Sequence, residues 1–271
     1  MGIKATLSDM DGTLIDTEKV YGAVDECFMD RYNVHITTQE FDALRGAGVS
    51  GFHNLFAARS VQFLQDFPTH QDFELARIQD YYQILQDKPE LLRVMSPVMQ
   101  KFKKQFKADH PLLIITNSSM ETVRQTMQAA SIKKKFWKSA ITSDYVLAKG
   151  HDMKPSGDPF GLGLARLNKN FAAAFKPEEC LILEDSVVGV HSSMNFGGHV
   201  LHILGDGSQN LSEVEVEAIR SQSGFKATKG GLCQSYTACT EDSFNEAYEA
   251  ILASEAAGQV FKPYYSYVPT P

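Results

Sequence analysis

The sequence predicts an α/β protein: a doubly wound, Rossmann-like parallel sheet with an inserted helical cap domain. Three observations predict it. Four short, largely apolar runs stand at residues 3–7, 112–115, 180–183 and 199–204. Continuous rather than alternating hydrophobicity is the mark of strands covered on both faces. Helical patterns alternate with these runs, as parallel strands joined by crossovers require. Finally, the stretch between the first two runs is too long for one crossover helix. Residues 17–92 read as a small helical insert, so the core is assigned to 1–16 and 93–271.

The first strand ends in Asp9-Met10-Asp11-Gly12, where glycine lets the backbone turn. Val20, Val24, Cys27 and Phe28 then give the 3/4 spacing of one helix face. Similar patterns run over 50–63 and 73–85. Pro89 and Pro97 mark the exit from the insert. After the second strand, Ser119 or Ser118 caps a helix with Val123, Met127 and Ala130 on one face. A fifth, weaker strand is expected at 139–142. Helices follow at 158–167 and 187–196, the latter stopped by Gly197-Gly198. Residues 206–238 are partly Gly/Ser-rich and hold one modest helical pattern at 212–220. A last helix is expected at 241–253, ahead of an aromatic, proline-containing tail.

Composition narrows the function. The chain has 271 residues, 43% hydrophobic and 22% charged, which is ordinary for a globular protein. A net charge of -7 leaves no basic excess for nucleic acid. The Lys133-Lys134-Lys135 run is local and reads as a solvated loop or helix end. Cys27, Cys180, Cys233 and Cys239 form no CxxC pair and read as reduced thiols of a cytoplasmic protein. No stretch approaches the ~20 apolar residues of a membrane span, and no secretory signal is read ahead of the first strand. Residues 1–6 fit an N-myristoylation pattern. A buried strand beginning at residue 3 would leave Gly2 little freedom to present a lipid.

The chemistry collects at strand ends, where open α/β sheets place their ligands. Asp9 and Asp11 are two residues apart and would share a face in a strand. One carboxylate can attack while the other handles protons. An EF-hand loop is excluded by spacing, because Gly12 is fourth and Val20 twelfth where glycine belongs sixth and glutamate twelfth. The second strand ends in Thr116 and Asn117, ahead of a helix N-terminus that attracts anions. Lys154-Pro155 follows, and the run at 180–183 ends in Glu184-Asp185. Singly, these are a turn, a helix cap, a solvated lysine and another cap. Together, an acid pair, a hydroxyl, a lysine and a second acid pair converge on one crevice. Acids with Mg²⁺, a lysine and helix-terminal amides make a site for phosphoryl transfer.

On these residues the chain resembles the haloacid dehalogenase-like hydrolases, in the group with a helical cap inserted after the first motif. The resemblance covers about residues 3–205. It is most specific in Asp9-Met10-Asp11-Gly12-Thr13-Leu14 followed by Asp16-Thr17-Glu18, and in Glu184-Asp185-Ser186 with Gly189 downstream. It implies that Asp9 is the nucleophile, forming an aspartyl-phosphate, and that Asp11 is the acid and then the base. It implies that Mg²⁺ is held by the Asp9 and Asp185 side chains and the Asp11 carbonyl, with Glu184 alongside. Thr116 and Lys154 would hold the phosphoryl group, with Gly12 and Asn117 completing the phosphate-binding set. The family's dehalogenase members lack an acid at the Asp11 position, so phosphate chemistry is favoured. Its sugar phosphomutases carry an additional cap base. Residues 44–53 offer only Arg45 and His53 as basic side chains, which favours a phosphatase.

The chain departs from the pattern in three places. Lys149 competes with Lys154 for the lysine role. Asp158 matches the acid after the Lys-Pro pair, but Gly157 replaces the common proline. Residues 206–240 have no counterpart. The expectation is a Mg²⁺-dependent phosphatase for a small phosphorylated metabolite, such as a sugar, polyol or nucleoside phosphate, with no nucleic-acid or membrane partner. A cap that opens and closes would hinge near 16–17 and 90–96. A phosphomutase, or a binding protein that keeps the site without turnover, are the alternatives.

Overall fold

The computed structural model describes residues 2–37, 39–40, 48–205, 214 and 236–256. The chain divides into two compact units, Met1–Asp16 with Arg93–Pro271, and Thr17–Leu92. In chain order the elements are β1 (Ala5–Ser8), β2 (Ile15–Asp16), α1 (Glu18–Tyr32), α2 (Gly48–Arg59), α3 (Val61–Asp66), α4 (His70–Asp87), β3 (Arg93–Val94), α5 (Ser96–Lys107), β4 (Leu112–Ile114), α6 (Met120–Ala129), α7 (Ser143–Ala148), α8 (Asp158–Phe171), β5 (Cys180–Glu184), α9 (Val187–Phe196), β6 (His199–Leu204), β7 (Tyr236–Thr240) and α10 (Phe244–Ala256).

The larger unit is built on a five-stranded sheet in the order β4-β1-β5-β6-β7, with every pairing parallel. This is the expected doubly wound α/β core. Alternation along β1 sorts its side chains onto two faces. Ala5 and Leu7 join Cys180, Ile182, Phe160 and Leu164 in one apolar cluster under α8. Thr6 points to the opposite side, where the Gln105 amide of α5 donates to its hydroxyl at 3.2 Å. Both faces are therefore covered, which is why these strands are continuously apolar in sequence. A separate antiparallel pair, β2 with β3, stands where the chain leaves and re-enters this unit.

Two strand expectations need correction. Residues 139–142 form no strand: one isolated bridge joins Ile115 to Ile141. The Arg166 guanidinium of α8 instead donates to the carbonyls of Ser139 and Ala140, at 2.9 and 3.1 Å. The fifth strand is β7, inside the segment with no expected strand. The helical pattern expected at 212–220 lies outside the described residues except for Val214, and so do the tail and Cys233. Among the described cysteines, Cys27, Cys180 and Cys239 are free thiols. No described helix is long and apolar enough to cross a membrane.

The inserted unit is helical, as expected, with two local differences. The pattern at 50–63 breaks at Ser60, whose hydroxyl accepts from the Phe63 N–H and starts α3. Thr69 and Asp72 form a reciprocal capping box that starts α4. Buried Phe28, Phe56, Phe63 and Phe73 make the core, with Phe28 and Phe73 edge-on at 5.0 Å. On α1 the buried set is Val20, Val24, Asp25 and Phe28, while Cys27 is exposed. Asp25 replaces Cys27 in the interior because Arg77 of α4 pairs with it at 2.5 Å. Burial pushes the Asp25 carboxyl up, against the opposing pull of Arg77.

Removing Arg77 would strand that carboxylate. Arg77→Met should cost about 3 kcal/mol, the low end for a broken buried pair. The low end applies because the substitution also removes the Arg77 Nε, a buried donor without a hydrogen-bond partner among the described residues. Arg77→Met/Asp25→Leu should recover most of the loss. Denaturant unfolding midpoints check this, and a double variant no better than the single would refute it.

Candidate active site

The site is assembled at the carboxyl end of the parallel sheet. Asp9 follows β1 directly, and its N–H extends the ladder to the Leu183 carbonyl at 2.8 Å. The chain then folds back through a tight turn in which the Gly12 N–H donates to the Ile15 carbonyl at 2.7 Å. Gly12 has φ +75°, in the left-handed region that favours glycine. A Cβ there would lie 2.0 Å from Asp185 Oδ2. Glycine is thus required twice over, for the turn and for the approach of a carboxylate.

Lys154 ties the site together. Its ammonium has three protons and three acceptors: Asp9 Oδ1 at 2.6 Å, Glu184 Oε1 at 2.5 Å and the Ile115 carbonyl at 2.9 Å. Its side chain is 3% exposed and that of Glu184 0%, so neither charge is shielded by bulk water. Burial works against the lysine's charge, but Asp9 and Glu184 outweigh it and raise its pKa. One cation therefore faces two buried carboxylates. The surplus falls on Asp9, whose pKa is pushed well up by burial, then by Glu184 and Asp11, against the pull of Lys154. Lys149 is exposed, with its ammonium 5.8 Å from the Tyr145 ring, and takes no part in this cluster.

Asp11 is held differently. Both Thr116 Oγ1, at 3.2 Å, and Ser118 Oγ, at 2.9 Å, donate to its Oδ2. The Ser118 N–H in turn donates to Thr116 Oγ1 at 3.0 Å. Ser119, not Ser118, caps α6 by accepting from the Thr122 N–H. Ser118 is thereby free to serve Asp11, a role the sequence reading missed. Asn117 accepts from the Lys154 N–H at 3.3 Å and donates to its carbonyl at 3.5 Å. Its side-chain amide fixes the lysine's backbone.

Glu184 and Asp185 close the cluster. Asp9, Glu184 and Asp185 each offer a carboxylate oxygen, and the three lie within 4.8 Å of one another. Thr13 Oγ1 donates to Asp185 Oδ1 at 3.3 Å. Oxygen donors with surplus negative charge suit a hard divalent cation such as Mg²⁺. The loop before Lys154 is braced by Asp158, which accepts from the Asp152 N–H at 3.1 Å. At Gly157 a Cβ would stand 2.9 Å from the main-chain nitrogen of Phe196, so close helix packing accounts for the glycine found there.

Of the basic cap residues, His53 is buried and its Nε2 lies 2.9 Å from the Phe67 carbonyl, inside the unit's own core. Arg45 lies outside the described residues.

Gly189, on the first turn of α9, makes a sharp prediction. A Cβ there would lie 1.9 Å from the Glu184 carboxylate, which Lys154 pins in place. Gly189→Ala should cost about 1–3 kcal/mol as an overpacked core does. It should slow turnover roughly 100-fold, the cost of misplacing a catalytic array by about 1 Å. Gly161→Ala on α8 meets nothing within 4 Å among the described residues and should leave turnover intact. Rates and unfolding midpoints for the pair decide the point, and equal behaviour of the two variants would count against it.

Comparison with known proteins agrees with this geometry. The family model for haloacid dehalogenase-like hydrolases matches residues 3–192. The chain is 26% identical over 243 residues to a probable pseudouridine-5'-phosphatase of Saccharomyces cerevisiae, covering 86% of this chain and 98% of that one. It is 26% identical over 227 residues to a bifunctional riboflavin kinase/FMN phosphatase of Arabidopsis thaliana, covering 83% of this chain and 55% of that one. The fold matches the crystal structure of a putative beta-phosphoglucomutase from Thermotoga maritima with a TM-score of 0.64 and 19% identity, over 92% of this chain and all of the other. With half of its length well exceeded by the family match, this chain belongs to the haloacid dehalogenase-like hydrolases.

Proposed function

We propose that the protein is a Mg²⁺-dependent phosphatase acting on a small phosphomonoester, a sugar, polyol or nucleoside phosphate, through an aspartyl-phosphate intermediate. The observation that carries this reading is the division of labour between two neighbouring carboxylates. Asp9 is gripped by the Lys154 ammonium, and Asp11 is aimed by two hydroxyls. A carboxylate beside a cation is a nucleophile that can approach an anionic phosphate. A carboxyl steered by hydroxyls is one that can exchange a proton.

An Asp9 carboxylate oxygen attacks phosphorus, and the bond to the leaving oxygen breaks. Asp11 gives its proton to that oxygen. In the second half, Asp11 takes a proton from water, the water oxygen attacks phosphorus, and the Asp9–phosphorus linkage breaks to release phosphate. Lys154 offsets the charge that Asp9 and the phosphoryl group bring together. Thr116, with its hydroxyl at the Asp11 side of the site, and Gly12 complete the phosphate cradle. Mg²⁺, held by Asp9 and Asp185 with the Asp11 carbonyl and Glu184 in support, would supply electrostatic stabilisation of the transferring group. The inserted unit, 17–92, serves as the cap that selects substrate, and the free thiols fit a cytoplasmic setting.

The relatives named as phosphatases support hydrolysis over transfer. The test is phosphate release from a panel of sugar, polyol and nucleoside monophosphates, with Mg²⁺ and with EDTA. Release that requires Mg²⁺, with no isomerised product, is expected. An isomerised sugar phosphate in place of free phosphate would convert the reading to a phosphomutase. Release undiminished by EDTA would remove the metal from it.

A further inference from the structure

β7 lies in the segment for which the sequence shows no counterpart, yet it reaches the site through one neighbour. His202 sits in mid-β6, opposite Glu184 of β5 and Ala238 of β7 in the parallel register. It is fully buried. An imidazole in such a strand is costly unless both nitrogens are bonded. Both are. Nε2 lies 2.8 Å from the main-chain oxygen of Asp185, and Nδ1 lies 2.8 Å from the Tyr236 hydroxyl of β7.

The chemistry of the partners sets the protons. A carbonyl oxygen only accepts, so Nε2 carries hydrogen and donates to Asp185. In the neutral ring Nδ1 then accepts, and the Tyr236 hydroxyl donates to it. Burial holds the His202 pKa below its usual range, against the Asp185 carbonyl and Glu184, and favours that neutral tautomer. The Asp185 peptide is thus tied from behind by a ring whose tautomer is fixed from β7. Its carboxylate faces the other way, bonded by Thr13 and packed against Gly12, where no Cβ intrudes.

We propose that His202 and Tyr236 are positioning residues for Asp185, and that they set the cation affinity of the Asp9–Glu184–Asp185 cluster. The proposal rests on the metal-dependent reading above and deepens it. A carboxylate is a good ligand only in a fixed orientation, and outer partners that fix ligands commonly change metal affinity 10–100-fold. Without the Nε2 bond, the Asp185–Ser186 peptide loses one of its anchors and the orientation of the carboxylate is less sharply fixed.

The experiment is Mn²⁺ titration of the metal-free protein, followed by the electron paramagnetic resonance of the free ion. His202→Met should weaken Mn²⁺ binding about tenfold. Tyr236→Phe, which removes one oxygen atom and threatens the fold least, should weaken it in the same direction. His202→Gln, whose amide can still donate to the Asp185 carbonyl, should retain most of the affinity. Val98→Ala on α5 truncates a buried apolar side chain that bonds none of the three carboxylates, and it should lower stability without moving the affinity. Wild-type Mn²⁺ affinity in both His202→Met and Tyr236→Phe would overturn the proposal, and so would equal weakening in Val98→Ala. Absence of Mn²⁺ binding to the wild type would be a different failure, that of the metal-dependent phosphatase reading itself.

Discussion

Asp9→Asn should abolish turnover and, in EDTA, make the protein more stable. The first half follows from the chemistry. An amide cannot take the place of the carboxylate as nucleophile, so the rate should fall by at least about 10⁴-fold, as when a residue that acts as part of a unit is removed. The second half follows from the charges. Lys154 is a single buried cation between Asp9 and Glu184, and Asp11 adds a further repulsion on Asp9. Asparagine keeps the shape and an oxygen to accept from Lys154, while Glu184 still neutralises the ammonium. The variant therefore removes surplus negative charge without stranding the positive one.

A gain on the order of 1 kcal/mol, or about 2–4 °C in melting temperature, is expected at neutral pH. The sign with pH is fixed by linkage. The folded-state pKa of Asp9 lies above its ordinary value of 3.8, so the residue's contribution is intact at low pH and is lost as pH rises through the folded value. The advantage of Asp9→Asn should open across that window and close toward pH 3.8. Melting curves in EDTA across pH, with turnover of the same preparations, provide the check. An inactive variant that melts well below the wild type would contradict the charge argument, and an active one would contradict the mechanism.

Much of this site was legible because it sits where strands stop. β1, β4, β5 and β6 are buried on both faces, so their sequences are nearly unbroken apolar runs, and their ends are marked by Asp9, Thr116 and Glu184-Asp185. β7 was not legible. Tyr236–Thr240 is rich in Thr, Ala and Cys, follows a Gly/Ser-rich stretch, and gains its buried character from β6 beside it and from Val190 and Met194 of α9. Residues 139–142 read as a strand because their apolar pattern resembles one. What decides against it is Arg166, some 25 residues later in the chain, whose guanidinium occupies the carbonyls a strand partner would use.

The same limit applies to side-chain roles. Ser118 and Ser119 are equivalent helix caps in sequence, and only the fold gives one to α6 and the other to Asp11. Asp25 enters the interior of the inserted unit beside Arg77, 52 positions away, a pairing no local pattern announces. Lys149 and Lys154 were rivals on spacing alone. A contact across the sheet separates them.

That contact sets the second large expectation. Lys154→Met matches the lysine stem in bulk and deletes the charge. It leaves Asp9 and Glu184 buried together, and the Ile115 carbonyl without its donor. Breaking one buried pair costs about 3–5 kcal/mol, and here two carboxylates lose the same cation, so a loss of about 5 kcal/mol is expected in EDTA. For a chain of this size that is roughly 10–20 °C in melting temperature. Three comparisons isolate the cause. Lys149→Met, at an exposed position, should change almost nothing. Lys154→Arg should not rescue, because a planar fork cannot reproduce three acceptors arranged around one ammonium. Adding Glu184→Gln to Lys154→Met should recover part of the stability, since one of the two stranded charges is gone and neighbours in one network do not add independently. Mg²⁺ should also recover part of it, because a ligand that binds only the folded state stabilises by mass action and here replaces the missing positive charge. Turnover with Mg²⁺ should stay at least 100-fold down, the usual cost of removing one preorganised electrostatic partner. A Lys154→Met protein that melts within 2–3 °C of wild type in EDTA, on the scale of about 1 kcal/mol, would mean that the two carboxylates are neutralised by something other than this lysine.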